Sequence, residues 1–224
     1  GTQLSKLAKI LRVEKSEISE RLGDKARGFV YLKRQVSPDL AAAVTALNIP
    51  GVFLRREYKR YYPAGEVMAH VLGFTGIDDT GQEGLELAFQ KSLAGLPGAK
   101  RVIKDRAGHI VEDVESIRLP QDGQPLMLSI DSKIQYLAYR ELRDAVIANR
   151  AKAGSIVVLD VRTGEVVALA SLPDYNPNNR VGLKPAQIRN RPVVDMFEPG
   201  STLKPFTVAA ALEAGKITPR TVIS

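Results

Sequence analysis

Ser155-Ile156-Val157-Val158-Leu159-Asp160 and Glu165-Val166-Val167-Ala168-Leu169-Ala170-Ser171 decide the fold. Both runs are apolar and β-branched, and only Val161-Arg162-Thr163-Gly164 separates them. That spacing predicts an antiparallel hairpin. Upstream, Asp131 or Ser132 caps a long helix with Ile134, Leu137, Ala138, Leu142, Ala145 and Val146 on one face. Leu126–Ile130 reads as a further strand. A long helix laid on an antiparallel sheet is an α+β layer architecture.

Downstream of the hairpin, Pro173-Asp174-Tyr175-Asn176-Pro177-Asn178-Asn179 signals turns rather than a regular element. Then come Arg189-Asn190-Arg191-Pro192-Val193-Val194-Asp195 and Phe197-Glu198-Pro199-Gly200-Ser201-Thr202-Leu203-Lys204-Pro205-Phe206. Pro199 and Gly200 break what precedes them, and an apolar helical run follows. Ser201 is expected at or beside the N-cap. Pro205 has no N–H, so it must fall in about the first turn. Ser201 and Lys204 lie three apart on one helical face. A serine hydroxyl needs a base within hydrogen-bond reach, and a lysine held neutral by burial and neighbours can be that base. Ser-x-x-Lys is short enough to arise about once by chance in a chain of this length, as a cap beside a solvated lysine.

Upstream of the hairpin, Leu119-Pro120-Gln121-Asp122-Gly123-Gln124-Pro125 crowds Pro, Gly and polar residues and is the best domain boundary, dividing residues 1–122 from 123–224. In the first part, Leu4, Leu7, Ile10, Leu11, Ile18 and Leu22 predict two short helices. Arg27–Gln35 and Val52-Phe53-Leu54 read as strands. Ser37-Pro38 is an N-cap followed by Pro, opening a helix that runs to Leu47. Further helices are expected over Glu66–Leu72 and from Gly81-Gln82-Glu83-Gly84-Leu85-Glu86 to Leu93. Strands are expected at 100–104 and 109–114, around the turn Asp105-Arg106-Ala107-Gly108. The glycine pairs fit turns; no Gly-x-Gly-x-x-Gly or Walker pattern is present to cradle a phosphate.

Composition narrows the chemistry. The 224 residues carry a formal charge of +7, which suits an anionic partner or membrane surface. Aromatic residues are only 6%, Trp is absent and the basic residues are scattered, which argues against nucleic acid. Arg55–Arg60 could face lipid, glycan or protein, or be a solvated basic face. Cys is absent and His occurs only at 70 and 109, so disulfides, thiolate chemistry, Cys/His zinc sites and a Ser-His-Asp triad find no material. Glu66 and His70 are spaced to share a metal, but without a third ligand a structural polar pair is the expectation. No metal and no organic cofactor is expected. No run is long enough to span a bilayer, and Gly1 opens no signal-peptide pattern.

Together, Asn190-Arg191 to Asp195 and Glu198 to Phe206 resemble the nucleophile segment of class B penicillin-binding proteins, serine DD-transpeptidases that cross-link peptidoglycan. The hairpin and Tyr175-Asn176-Pro177-Asn178 are similar to the start of that domain. Arg60-Tyr61-Tyr62-Pro63, Gly65-Glu66, Ala69-His70, Gly73-Phe74, Gly81 to Glu86 and Lys104 to Gly108 resemble the family's N-terminal pedestal module. Within the family the likeness is to the division-specific type of Gram-negative bacteria. The resemblance implies an α+β chain, with a pedestal followed by the truncated start of a β-lactamase-like transpeptidase domain. It implies Ser201 as nucleophile and Lys204 as base, with peptidoglycan stem peptides as substrate and β-lactams as covalent inhibitors. It also implies division partners such as a membrane-embedded glycosyltransferase, a place on the periplasmic face of the inner membrane, and an anchor ahead of Gly1. The family's Ser-x-Asn and late Lys-Thr/Ser-Gly motifs do not occur. Arg162-Thr163-Gly164 lies before the nucleophile and between two strands, so it reads as a turn. The 224 residues alone are therefore expected to be inactive. A non-catalytic interaction module that docks division proteins is the alternative.

Overall fold

The computed structural model describes residues 2–23, 27–104 and 110–222. The expected turn at 105–108 and His109 lie outside them. Helices α1 (Thr2–Leu11), α2 (Lys15–Gly23) and α3 (Pro38–Thr45) form an apolar core around Leu7, Leu11, Ile18 and Val44. The helical spacing of leucines in α1 produces this face. At α3, Ser37 is extended and its Oγ accepts from Leu40 N at 3.3 Å, while Pro38 fills the first turn as expected.

The two strands expected at 27–35 and 52–54 are not formed. Arg21 Nη1 donates to the carbonyls of both Tyr31 and Leu32, each at 2.8 Å. Two successive carbonyls turned to one guanidinium cannot alternate as a ladder requires. The aromatic side chains pack among themselves instead, with Phe29 edge-on to Tyr31 at 4.7 Å and tilted against Phe53 at 5.9 Å.

Residues 62–98 are short elements joined by close backbone approaches. A 3-10 turn (Gly65–Met68) runs into α4 (Ala69–Leu72), followed by α5 (Gly84–Ala88) and α6 (Gln90–Leu93). The single helix expected up to Leu93 is broken at Phe89, whose φ of −110° and ψ of 21° leave the helical range. A Cβ on Gly73 would stand 1.9 Å from Glu83 O, so these glycines permit contact between backbones rather than a phosphate cradle.

Strands β1 (Ala99–Lys104) and β2 (Ile110–Arg118) pair antiparallel. The base of this hairpin is pinned: Leu96 and Gln121 exchange backbone hydrogen bonds at 2.8 and 2.9 Å, and Gln124 N donates to Ser92 O. The Pro/Gly stretch at 119–125 is thus tied to residues 92–98.

The expected strand at 126–130 is irregular. Its neighbourhood meets β4 (Val166–Leu172) through Asp131 N to Val167 O at 2.9 Å and Ser129 Oγ to Val166 O at 2.7 Å, too few bonds for a ladder. Helix α7 (Ser132–Ala148) is capped by Asp131, whose Oδ1 accepts from Lys133 N and Ile134 N. It lies on β4 and on β3 (Gly154–Leu159), which pair antiparallel from Gly154–Leu172 to Leu159–Val166. A Cβ on Gly154 would fall 2.8 Å from Val146 and 2.9 Å from Leu142, so the glycine lets α7 settle onto the sheet.

The buried face of α7 is rotated from the expected one. Gln135, Ala138, Tyr139 and Leu142 are buried, whereas Ile134 and Leu137 are 39% and 48% exposed and Ala145 is exposed. The reason is polar: Gln135 and Tyr139 both find partners inside, as described below. Two short helices, α8 (Pro185–Ile188) and α9 (Arg191–Val194), lead to a 3-10 turn (Gly200–Leu203) and α10 (Lys204–Glu213). The architecture is α+β. Among the described residues no helix is long and apolar enough to cross a membrane.

Candidate active site

Ser201 lies in the 3-10 turn and Lys204 is the first residue of α10. Pro205 explains the junction. In an α-helix its ring would crowd the carbonyl four residues back, which is Ser201 O, and it has no N–H to offer that oxygen. Lys204 N instead donates to Ser201 O, three residues back, so the chain enters α10 through a tighter turn. Side chains three apart eclipse in such a turn, which keeps Ser201 and Lys204 on one side of the backbone.

The expectation that Ser201 caps the helix is not met. No side chain caps either the turn or α10; Thr202 Oγ1 donates to Pro199 O, and Gly200 adopts a φ of +56°. Among the described residues no hydrogen bond joins Ser201 to Lys204, and both are exposed.

Upstream of Ser201 lies a tethered segment. Asp195 is held by Arg189 Nε and by Arg191 Nη1, the latter at 2.9 Å. The Arg189 hydrogen bond, followed by that from Arg191, holds the Asp195 carboxyl below the ordinary carboxylate range. Arg191 also donates from Nε to Leu172 O at 3.2 Å and from Nη2 to Ala186 O at 3.3 Å.

The same segment is fastened to residues 62–76 through buried polar groups. His70 Nε2 donates to Gln187 O at 2.8 Å, and His70 O accepts from Asn190 Nδ2 at 3.1 Å. Tyr175 OH donates to Ala69 O at 2.8 Å, with its ring edge-on to His70 and Phe74. Tyr62 and Asn178 pair as two strand residues would, Tyr62 N to Asn178 Oδ1 and Asn178 Nδ2 to Tyr62 O, each 2.9 Å. Arg180 donates to Thr75 O at 3.0 Å while lying 4.5 Å over the Phe74 ring.

On the α7 side, Gln135 is fully buried. Its amide donates to Val67 O and Leu169 O and accepts from Leu169 N, at 2.7 to 2.8 Å. Tyr139 OH donates to Asp174. Burial, reinforced by this carboxylate, raises the Tyr139 pKa, and burial raises that of Tyr175. Burial lowers the pKa of His70, against the bond to Gln187.

Glu66 and His70 take separate partners: Glu66 accepts from Asn176 Nδ2 at 2.8 Å, and His70 holds Gln187. Both act in the seam as structural polar groups, and among the described residues no three His, Cys, Asp or Glu could hold a metal. The motif reading singled out Ser201 and Lys204, while the resemblance quoted Asn178, Asn190 and Asp195 without roles. Gln135 was missed, although 135, 138, 139, 142 and 146 are helical spacing; a polar residue opening that series was the signal.

The penicillin-binding protein transpeptidase domain matches residues 154–224, and the penicillin-binding protein dimerisation domain matches residues 2–128. The chain belongs to the class B penicillin-binding proteins. It is 46% identical over 225 residues to peptidoglycan D,D-transpeptidase FtsI of Escherichia coli K12, covering 100% of this chain and 38% of that protein. It is 48% identical over 218 residues to the probable peptidoglycan D,D-transpeptidase PenA of Neisseria gonorrhoeae, covering 96% of this chain and 38% of the other. The chain thus spans 38% of the length of these relatives. Among solved structures, penicillin-binding protein 3 of Mycobacterium tuberculosis has a TM-score of 0.62 at 30% identity, over 73% of this chain and 33% of that one. A peptidoglycan synthetase of Bifidobacterium adolescentis has a TM-score of 0.64 at 25% identity, over 99% and 41%.

Proposed function

We propose that the full-length protein carrying this chain is a septal peptidoglycan DD-transpeptidase with Ser201 as nucleophile and Lys204 as general base. The observation that carries this is the Ser201/Lys204 pair on the turn that opens α10, inside the segment matching the transpeptidase domain. Neutral Lys204 Nζ takes the hydroxyl proton as Ser201 Oγ bonds to the carbonyl carbon of the penultimate D-alanine. The peptide bond breaks, and D-alanine leaves with that proton on its amine. An amine of a second stem peptide then displaces Ser201 from the ester. The Ser201 N–H, near the positive end of α10, is the expected oxyanion donor. β-Lactams acylate the same oxygen. The 224 residues alone are inactive: Ser201 and Lys204 are both exposed, and the Ser-x-Asn and Lys-Thr/Ser-Gly motifs are absent from them. We place the protein on the periplasmic face of the inner membrane, behind an anchor preceding Gly1, with the pedestal over 1–122 and the catalytic domain from 123.

Labelling with fluorescent penicillin tests the assignment. The full-length protein labels, Ser201→Ala abolishes labelling, and the 224-residue chain does not label. Labelling that survives Ser201→Ala overturns the nucleophile.

A second reading rests on one feature of the first part. Leu7, Val44, Phe29 and Phe53 line a cavity of about 940 Å³ together with Arg55 and Arg56. Its mixed basic and apolar lining suits an acidic, apolar segment of a division partner, such as the membrane-embedded glycosyltransferase or its associates. Loss of partner capture by Arg55→Glu/Arg56→Glu full-length protein, with penicillin labelling intact, supports this docking role; unchanged capture removes it.

A further inference from the structure

Asp195 is the last residue before Ser201 whose side chain is tied to the body of the molecule. Among the described residues, every hydrogen bond made by residues 196–222 closes within that segment. Met196 and Phe197, between Asp195 and the turn, are 99% and 82% exposed. The direction in which the chain leaves toward Ser201 is therefore set at Asp195.

Asp195 is fixed from two sides. Arg189 and Arg191 grip its carboxylate, and Arg191 is anchored on Leu172 at the end of β4. The backbone that carries the arginines is itself held by the first half of the chain: His70 grips Gln187 with its ring and Asn190 with its carbonyl, on either side of Arg189. His70 cannot easily shift, being 6% exposed and packed edge-on against Tyr175. A continuous path thus runs from His70 to the Asn190 side chain, along the backbone to Arg189 and Arg191, and through their guanidinium groups to Asp195, six residues ahead of Ser201.

We propose that His70, Asn190, Arg191 and Asp195 form a positioning relay that sets the Ser201 turn, so that the residue-62–76 layer contributes to acylation without touching substrate. This rests on Ser201 being the nucleophile. The relay residues are positioning residues: among the described residues none of them hydrogen-bonds to Ser201 or Lys204. A misplacement of order 1 Å at a nucleophile costs about a hundredfold in rate, so a loosened hinge six residues away is a sufficient lever.

The test uses the full-length protein and a fluorescent penicillin, with acylation resolved into a prior binding constant and a first-order acylation constant. Asn190→Ala and Asp195→Ala each lower the acylation constant about tenfold or more, while the binding constant changes less than about threefold. Asp195→Glu recovers most of the loss. The Asn190→Ala/Asp195→Ala double variant is no slower than the worse single variant, because both interrupt one path. Should Asp195→Ala not fold, Asp195→Asn, of equal volume, carries the same expectation because it removes the charge that grips both arginines.

An unchanged acylation constant, or an equal fall in binding and acylation, overturns the relay; additive losses overturn the single path. Failure of the underlying assignment looks different. Labelling that persists in Ser201→Ala removes the nucleophile itself, whereas Ser201→Ala silent with Asn190→Ala at full rate removes only the relay.

Discussion

The apolar core of residues 2–52 and the polar seam between residues 60–90 and 128–195 hold the same molecule by opposite means. The first buries Leu7, Leu11, Ile18 and Val44 against one another, and its stability follows from surface removed from water. The second aligns Gln135, Asn178, Asn190 and His70 with backbone groups more than thirty, and often more than a hundred, positions away in sequence. An apolar core tolerates an approximate fit, because contact is non-directional. A polar seam does not, since a displaced donor leaves a buried group unpaired. The seam is thus suited to fixing where a segment points, and the segment it fixes is the one that leads to Ser201.

The largest expected effect falls on the core. Leu7→Ala leaves a cavity at a residue only 1% exposed, and should cost about 2–5 kcal/mol in denaturant unfolding. Amide exchange should accelerate in α1–α3 and remain slow in α7 and β4. Faster exchange in α7 as well would break the division into two separately supported regions. Gln135→Leu tests the seam with little change of volume. It strands Val67 O and the N–H and carbonyl of Leu169, and should cost about 2–3 kcal/mol despite adding a better hydrophobe. A neutral or stabilised Gln135→Leu would show that the seam is apolar packing after all.

That contrast also explains what could be read in advance. Periodicity reports burial of apolar side chains, so α1, α2, α7 and the β3–β4 hairpin were legible; local chemistry alone gave the Ser37 cap and narrowed that of α7 to Asp131 or Ser132, of which Asp131 is the cap. The strands expected at 27–35, 52–54 and 126–130 failed because β-propensity says nothing about a partner; Arg21 had taken the carbonyls of Tyr31 and Leu32. The buried face of α7 is turned from its apolar stripe because the Gln135 amide finds its partners inside, which apolar periodicity does not report. Ser201 and Lys204 were legible as a motif. Their exposure and lack of mutual contact were not, since these depend on what surrounds α10. Asn190 and Asp195 had roles that only tertiary contacts reveal.

The smallest effect sharpens the comparison through pH. His70 is buried in the seam, with Asp174 and Arg191 as its charged neighbours and Gln187 O as its hydrogen-bond acceptor. Burial favours the neutral ring and sets its folded pKa below the ordinary value of 6.5. The unfolded chain therefore binds the proton more readily than the folded one. The stabilisation from neutral His70 is complete above about pH 6.5 and declines as pH falls from there toward the depressed folded value. The apolar core has no described histidine, so this slope belongs to the seam alone. Thermal unfolding between pH 7.5 and 5.5 should show a falling midpoint in the parent chain and a shallower fall in His70→Gln, after subtraction of the background from carboxylates. Equal slopes would mean that His70 gains a compensating partner on protonation, and Asp174 is the group placed to provide it.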